Sequence, residues 1–124
     1  MRIHMVSIGS TGDVRPYVLL GSELKRRGHD VTIVAFDRFE DMTGKAGLGF
    51  YALPGDVMEL MDHIMKPGVN GTRFLNQVEK ALGKIAPALL QALLDDFQDA
   101  DAMICNFFGS MYYSVAEKYG IPVV

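Results

Sequence analysis

The loop at residues 9–13 holds the groups best suited to chemistry. It reads Gly-Ser-Thr-Gly-Asp and lies between an apolar run and a helical pattern. A glycine-containing turn that leads into a helix presents backbone N–H groups and the positive end of the helix dipole, which suits an anion. The hydroxyls of Ser10 and Thr11 add donors, and Asp13 is placed to accept a proton from a substrate hydroxyl. The loop therefore indicates an anion site with a candidate base beside it.

Each of these residues also has an ordinary structural role. Gly9 and Gly12 by themselves indicate only a tight turn. The loop matches neither the phosphate-binding pattern G-x-x-x-x-G-K-[ST] nor the dinucleotide pattern G-x-G-x-x-G. Asp13 is also expected as an N-cap or first-turn acid, because a carboxylate is favourable at a helix N-terminus. The loop alone leaves both interpretations open.

Short apolar runs alternate with helical patterns on either side of this loop. Strands are predicted at 3–8, 31–36, 50–53, 102–105 and 121–124, and helices at 14–27, 38–46, 57–65, 72–97 and 110–119. The order strand, glycine turn, helix, strand is typical of a βαβ unit with parallel strands. The alternation predicts an α/β fold with an open, mostly parallel sheet. Ligands of such sheets bind where the strand order reverses, which here brings residues 9–13 beside residues 106–110.

The composition indicates one ordinary globular domain. The chain has 124 residues, of which 49% are hydrophobic and 22% charged, and its net charge is −3. This charge gives no electrostatic basis for nonspecific nucleic-acid binding, and no apolar run reaches the roughly 18 residues that span a bilayer. A single cysteine, Cys105, without a Cys/His cluster, predicts no disulfide and no metal site. Residues 1–6 do not form a secretory signal, so a cytoplasmic location is expected.

Three segments of the chain resemble a known family of enzymes. Residues 9–17, with the sequence GSTGDVRPY, resemble the amino-terminal signature of GT-B glycosyltransferases, and most of all the sterol, glycopeptide-antibiotic and macrolide glucosyltransferases. The stretches 46–56 and 116–122 agree with the same pattern. The resemblance implies that residues 1–124 belong to a single acceptor-binding domain and that this domain is incomplete, since the first domain of such enzymes normally runs further. It also implies an open Rossmann-like sheet with helices on both faces, which is the amino-terminal half of a GT-B fold.

The resemblance also implies roles for the loop residues. Asp13 matches the general base, which deprotonates an acceptor hydroxyl as that oxygen attacks a nucleotide sugar with inversion at the anomeric carbon. Ser10, Thr11 and Gly12 match the loop that faces the donor diphosphate. The nucleotide sugar, with UDP or dTDP as its nucleotide, is a co-substrate, so no separate cofactor is implied. Other branches use a histidine base steered by an aspartate after the fourth strand, where this chain has Asn106.

Two further groups of residues are candidates for acceptor binding. Met58, Met61 and Met65 crowd one short predicted helix. Methionines there either pack in the core or form a deformable wall for an apolar hydroxylated acceptor, such as a sterol, lipid or polyketide. Phe107 follows the end of the fourth predicted strand, and Asn106 either hydrogen-bonds an acceptor or caps the strand.

The donor-binding domain of the resembling enzymes lies outside these residues, so the chain alone is not expected to transfer sugar. Its apolar last residues favour an excised domain or one subunit of a split enzyme. One alternative is a non-catalytic subunit that pairs with a separate donor subunit at a membrane surface. Another is a flavodoxin-like or dinucleotide phosphate-binding domain, for which Asp37 follows the second predicted strand.

Overall fold

The structure is a computed structural model of the chain. It describes residues 1–53, 55, 71–72, 76, 80, 83, 87–88, 91, 99–106 and 113–124, apart from the side chain of residue 115. The strands are β1 (Arg2–Val6), β2 (Asp30–Phe36), β3 (Gly49–Leu53) and β4 (Ala102–Cys105). The helices are α1 (Thr11–Arg26), α2 (Glu40–Lys45) and α3 (Tyr113–Tyr119), with a 3₁₀ turn at Asp37–Phe39. The predicted helix at 57–65 and residues 110–112 of the last predicted helix lie outside the described residues.

The four strands form one sheet in the order β3-β2-β1-β4, and every neighbouring pair is parallel. The central strands β1 and β2 consist largely of branched and other apolar residues, as expected of strands that are covered on both sides. Met5, Ile33 and Val34 are completely buried. The chain moves outward from β1 to β3 in one direction and then crosses to β4 on the other side. The predicted open parallel α/β fold is therefore confirmed, with the reversal of strand order at β1.

Helix α1 begins three residues earlier than the sequence pattern predicts. Ser10 is its N-cap, with extended backbone, and Asp13 is the third helical residue. Contacts between these two residues add a turn in front of the apolar stripe. The predicted helix start at residue 14 places Pro16 in the first turn, but Pro16 lies inside α1 as its sixth residue. A proline at this position has no N–H to donate to the carbonyl of Gly12, four residues earlier.

The buried stripe of α1 is narrower than predicted. Val14, Val18 and Gly21 are buried against the sheet, whereas Leu19 and Leu20 are 65% and 45% exposed. The three- and four-residue spacing of the apolar residues from 14 to 24 predicts that Leu19 and Leu20 belong to the same stripe, and this prediction is wrong. Positions 14, 18 and 21 share one side of a helix with 3.6 residues per turn, and positions 19 and 20 are rotated away from it.

Two regions after β3 bear on the remaining predictions. Within 72–97, the described positions 72, 76, 80, 83, 87–88 and 91 are helical and exposed, and the other positions of this predicted helix lie outside the described residues. A fifth strand at 121–124 is not formed. Instead Val123 makes one isolated parallel bridge with Met103. Pro122 has no N–H to donate and only accepts, from the N–H of Met103.

Candidate active site

The loops that follow β1 and β4 meet at the carboxyl end of the sheet. The side chain of Asn106, just after β4, contacts the backbone of Ile8, just after β1: its Nδ2 donates to the Ile8 carbonyl at 2.8 Å. The backbone N–H of Asn106 donates to the carbonyl of Val6 at 3.2 Å. The predicted approach of these two loops is therefore confirmed for the residues described. It occurs where the strand order reverses, which is the usual ligand position in this class of sheet.

Asp13 lies at this point, in the first turn of α1, and is partly exposed. Its Oδ2 accepts two hydrogen bonds from Ser10, one from the backbone N–H at 2.7 Å and one from Oγ at 2.8 Å. Its Oδ1 has no hydrogen-bond partner within the described part of the chain. One carboxylate oxygen thus anchors the side chain, and the other is available to a ligand.

Gly9 provides the space in which the Asp13 carboxylate lies. A Cβ at residue 9 would overlap Asp13 Oδ2 and would lie 2.7 Å from Asp13 Cγ. Gly9 also has a φ of +147°, a backbone conformation that residues with a side chain rarely adopt. Glycine at this position is therefore required for two reasons, the backbone angle and the close approach of the carboxylate.

The start of α1 has further groups that an anion could use. Ser10, Thr11 and Gly12 are all exposed. The backbone N–H groups of Thr11 and Gly12 have no acceptor among the residues for which the structure gives positions. The hydroxyl of Ser10, in contrast, donates to Asp13. The available donors are therefore the two amides and the Thr11 hydroxyl, next to the positive end of the helix dipole.

Arg38 borders the same loop and was not among the residues predicted from the sequence. Its guanidinium Nη2 lies 3.4 Å from the carbonyl oxygen of Gly9 and donates a hydrogen bond to it. The same guanidinium lies 4.4 Å from the centre of the Phe39 ring, which is buried. The sequence signal that could have located Arg38 is its position just after the second predicted strand, which places it at this edge of the sheet. The structure thus brings a cation to the loop that carries Asp13.

Two titratable groups beside the site stay neutral at physiological pH. Burial raises the pKa of the Tyr17 phenol, and the negative charge that Cys105 carries once it is ionised raises it further, to a smaller extent. Burial also raises the pKa of Cys105 itself. A raised thiol pKa leaves less thiolate at neutral pH, so Cys105 is poorly suited to act as a nucleophile.

Four predicted acceptor-binding residues, Met58, Met61, Met65 and Phe107, lie outside the described residues. Their proposed role stays a prediction. Within the described ranges no helix is long and apolar enough to cross a membrane. No three His, Cys, Asp or Glu residues in those ranges lie close enough together to hold a metal ion.

The profile of the glycosyltransferase family 28 N-terminal domain matches residues 3–124. The chain belongs to this family. The family 28 domain is 33% identical over 120 residues to a sterol 3-beta-glucosyltransferase of Candida albicans, and 32% identical over 121 residues to that of Pichia angusta. These matches cover 97% and 98% of the domain but only 8% and 10% of the two relatives.

Solved structures of glycosyltransferases share the fold of the family 28 domain. A calicheamicin glycosyltransferase superimposes with a TM-score of 0.75 and 24% identity, over 98% of this chain and 31% of its own. A glycosyltransferase of Streptomyces sp. SF2575 gives a TM-score of 0.71 and 22% identity, over 99% of this chain and 38% of its own. The predicted Rossmann-like amino-terminal fold of GT-B enzymes is therefore confirmed.

Proposed function

We propose that this chain is the acceptor-binding domain of an inverting, nucleotide-sugar-dependent glycosyltransferase. The acceptor class we propose is an apolar alcohol, with a sterol as the first candidate. The sterol 3-beta-glucosyltransferases support this choice, since they align along nearly the whole chain at 33% and 32% identity. The chain spans about a tenth or less of those relatives. The proposal therefore includes a donor-binding domain, on the same polypeptide or on a second subunit.

The observation that carries the proposal is the anchoring of Asp13. Two donors from Ser10 hold Oδ2 at the reversal of strand order, and Oδ1 is left for an incoming hydroxyl. In the proposed step Asp13 takes the proton of the acceptor O–H as the acceptor oxygen bonds to the anomeric carbon. The bond from that carbon to the nucleoside diphosphate breaks, and the configuration inverts. Proton transfer by a positioned base contributes about 10²–10⁴-fold to the rate.

The donor diphosphate is proposed to face the start of α1. The amides of Thr11 and Gly12, which have no acceptor in the described part of the chain, can donate to phosphate oxygens as the leaving group gains charge, and so can the Thr11 hydroxyl. Ser10 contributes indirectly, because its hydroxyl holds the base. Arg38 lies close enough to the loop to strengthen its attraction for an anion.

The test is Asp13→Asn in the assembled enzyme, meaning this chain together with its donor-binding domain, supplied with UDP-glucose and a sterol. Asparagine can still accept from the Ser10 N–H but cannot take a proton, so kcat should fall about 10²–10⁴-fold while binding of UDP-glucose stays unchanged. Asp41→Asn is the matched control, because Asp41 is an exposed carboxylate whose one ion pair among the described residues is with Lys45. If Asp13→Asn turns over at nearly the normal rate, Asp13 is not the base.

A further inference from the structure

The side chain of Asn106 takes the place of a further backbone pair between β1 and β4. The ladder of the two strands ends at the pair of Val6 with Cys105. Beyond it, the Asn106 side chain donates from Nδ2 to the Ile8 carbonyl at 2.8 Å, and its Oδ1 accepts from the Ile8 N–H at 3.4 Å. One side-chain amide therefore satisfies both backbone groups of Ile8, as a neighbouring strand would.

This pairing requires an amide. Ile8 offers one donor and one acceptor, so its partner must supply one acceptor and one donor on a short planar group, which asparagine does. An ionised aspartate of the same shape only accepts. It would leave the Ile8 carbonyl without a donor and place a carboxylate oxygen against it. Asn106, which stands after β4, therefore meets both requirements of the contact with Ile8.

The contact that fixes the backbone of Ile8 also fixes the position of the Asp13 carboxylate. Ile8 is bonded to Gly9, and the Asp13 carboxylate lies directly over Gly9. The next residue, Ser10, donates its N–H to Asp13 Oδ2. A shift of the backbone at Ile8 therefore moves both the surface on which the carboxylate rests and the donor that anchors it.

We propose that Asn106 is a positioning residue, which sets the location of the Asp13 carboxylate by clamping the backbone of Ile8. The inference rests on the proposed function, because it assigns Asn106 to the same transfer reaction. It differs from a direct contact between Asn106 and the acceptor, which the sequence also suggested. The two roles separate kinetically: loss of positioning lowers kcat, whereas loss of an acceptor contact raises the acceptor KM.

The first test is steady-state kinetics of Asn106→Asp and Asn106→Ala in the assembled enzyme, with UDP-glucose and a sterol. A displacement of about 1 Å in a reacting group can cost about 10²-fold. We expect kcat to fall about 10–100-fold for Asn106→Asp and less for Asn106→Ala, which adds no charge, and the acceptor KM to change by less than about twofold. Asn76→Asp is the matched control, since Asn76 is exposed on a helix, and it should leave both constants unchanged.

The second test needs no donor-binding domain. Amide chemical shifts and hydrogen exchange are measured on the 124-residue chain for Ile8, Gly9 and Ser10. Asn106→Ala and Asn106→Asp should shift these three amides and speed exchange at Ser10, and Asn76→Asp should not. If Asn106→Asp does not fold, the same amide shifts and exchange rates are measured on Asn106→Ala, which carries no added charge.

The outcomes distinguish the two proposals. Normal turnover by Asp13→Asn overturns the assignment of the base, and with it the catalytic role of Asn106, even if the amide shifts show the clamp. Loss of turnover by Asp13→Asn, with normal kcat or unmoved amides for both Asn106 variants, overturns the positioning role alone. A raised acceptor KM at normal kcat identifies Asn106 as an acceptor contact and also overturns it.

Discussion

Replacing Gly9 with alanine tests the geometry on which the proposed base depends. The added Cβ would overlap Asp13 Oδ2 and lie 2.7 Å from Asp13 Cγ, at a φ of +147°. Either the carboxylate moves away from the loop or the backbone of residue 9 rotates. Both changes break the arrangement in which the Ser10 N–H donates to Asp13 at 2.7 Å.

The expected loss of stability follows from three terms. Holding a non-glycine residue at a rare backbone angle costs about 1–3 kcal/mol. Loss of the contacts at the start of α1 costs about 0.5–2 kcal/mol. Alanine lowers the conformational entropy of the unfolded chain, and this offsets about 0.4–1 kcal/mol of the lost stability. With each term at the middle of its range, the free energy of unfolding should fall by about 2.5 kcal/mol, and the extremes of the three terms span about 0.5–4.5 kcal/mol.

Urea denaturation of the 124-residue chain measures this loss. With a slope of about 2 kcal/mol per M, the midpoint should fall by about 1 M. Gly44→Ala is the matched control, because Gly44 is an exposed residue of α2 and an added Cβ there meets nothing within 4 Å. It should stabilise the chain by about 0.5–1 kcal/mol.

A double-mutant cycle separates the clash from the backbone strain. In an Asp13→Ala background the clash with the carboxylate is gone, so Gly9→Ala should cost less than in the wild-type chain, by about 0.5 kcal/mol or more. A loss below about 0.5 kcal/mol for Gly9→Ala alone, the range of an ordinary surface substitution, would mean that the carboxylate does not lie over residue 9.

Two further measurements test other contacts of the fold. A Cβ at Gly21 would lie 3.0 Å from Leu48 Cδ1 and 3.2 Å from Val31 Cγ1. Overpacking of about 1–3 kcal/mol should exceed the helix-propensity gain of about 0.5–1 kcal/mol, so Gly21→Ala should lower the urea midpoint, and a stabilised variant would contradict this packing. Because burial raises the pKa of Cys105, the unfolded thiol ionises first as pH rises above about 8.5, and stability should fall with rising pH. Melting temperatures between about pH 7.5 and 9.5 should fall less in Cys105→Ala, and equal slopes would exclude this contribution.

The first βαβ unit could be predicted from the sequence because its signals are local. The apolar runs predict β1 and β2, and the basic residues at 25–27 followed by Gly28 predict the end of α1, in each case from neighbours within a few positions. The first-turn location of Asp13 could be predicted for the same reason, and the structure confirms it. The outward orientation of Leu19 and Leu20 could not, because it depends on which side of α1 meets the sheet.

The contacts that hold the loop of Asp13 could not be predicted from local sequence signals, because they join residues far apart in the chain. Nothing near Arg38 indicates that it reaches the carbonyl of Gly9, 29 residues away. Asn106 contacts Ile8 across 98 residues, and its identity was consistent with either a strand cap or an acceptor contact. The isolated bridge at Val123, in place of a predicted strand, also depends on a partner in another element.

By itself the sequence determined the alternation of strands and helices, the glycine loop and the acid beside it. These follow from side-chain periodicity, backbone freedom and helix-end electrostatics, which act over one or two turns of chain. The tertiary structure decided which carboxylate oxygen of Asp13 is anchored, what lies beneath it and which distant side chains hold its loop. Hydrogen bonds between strand ends depend on the order and register of the strands, and only the folded sheet brings those ends together.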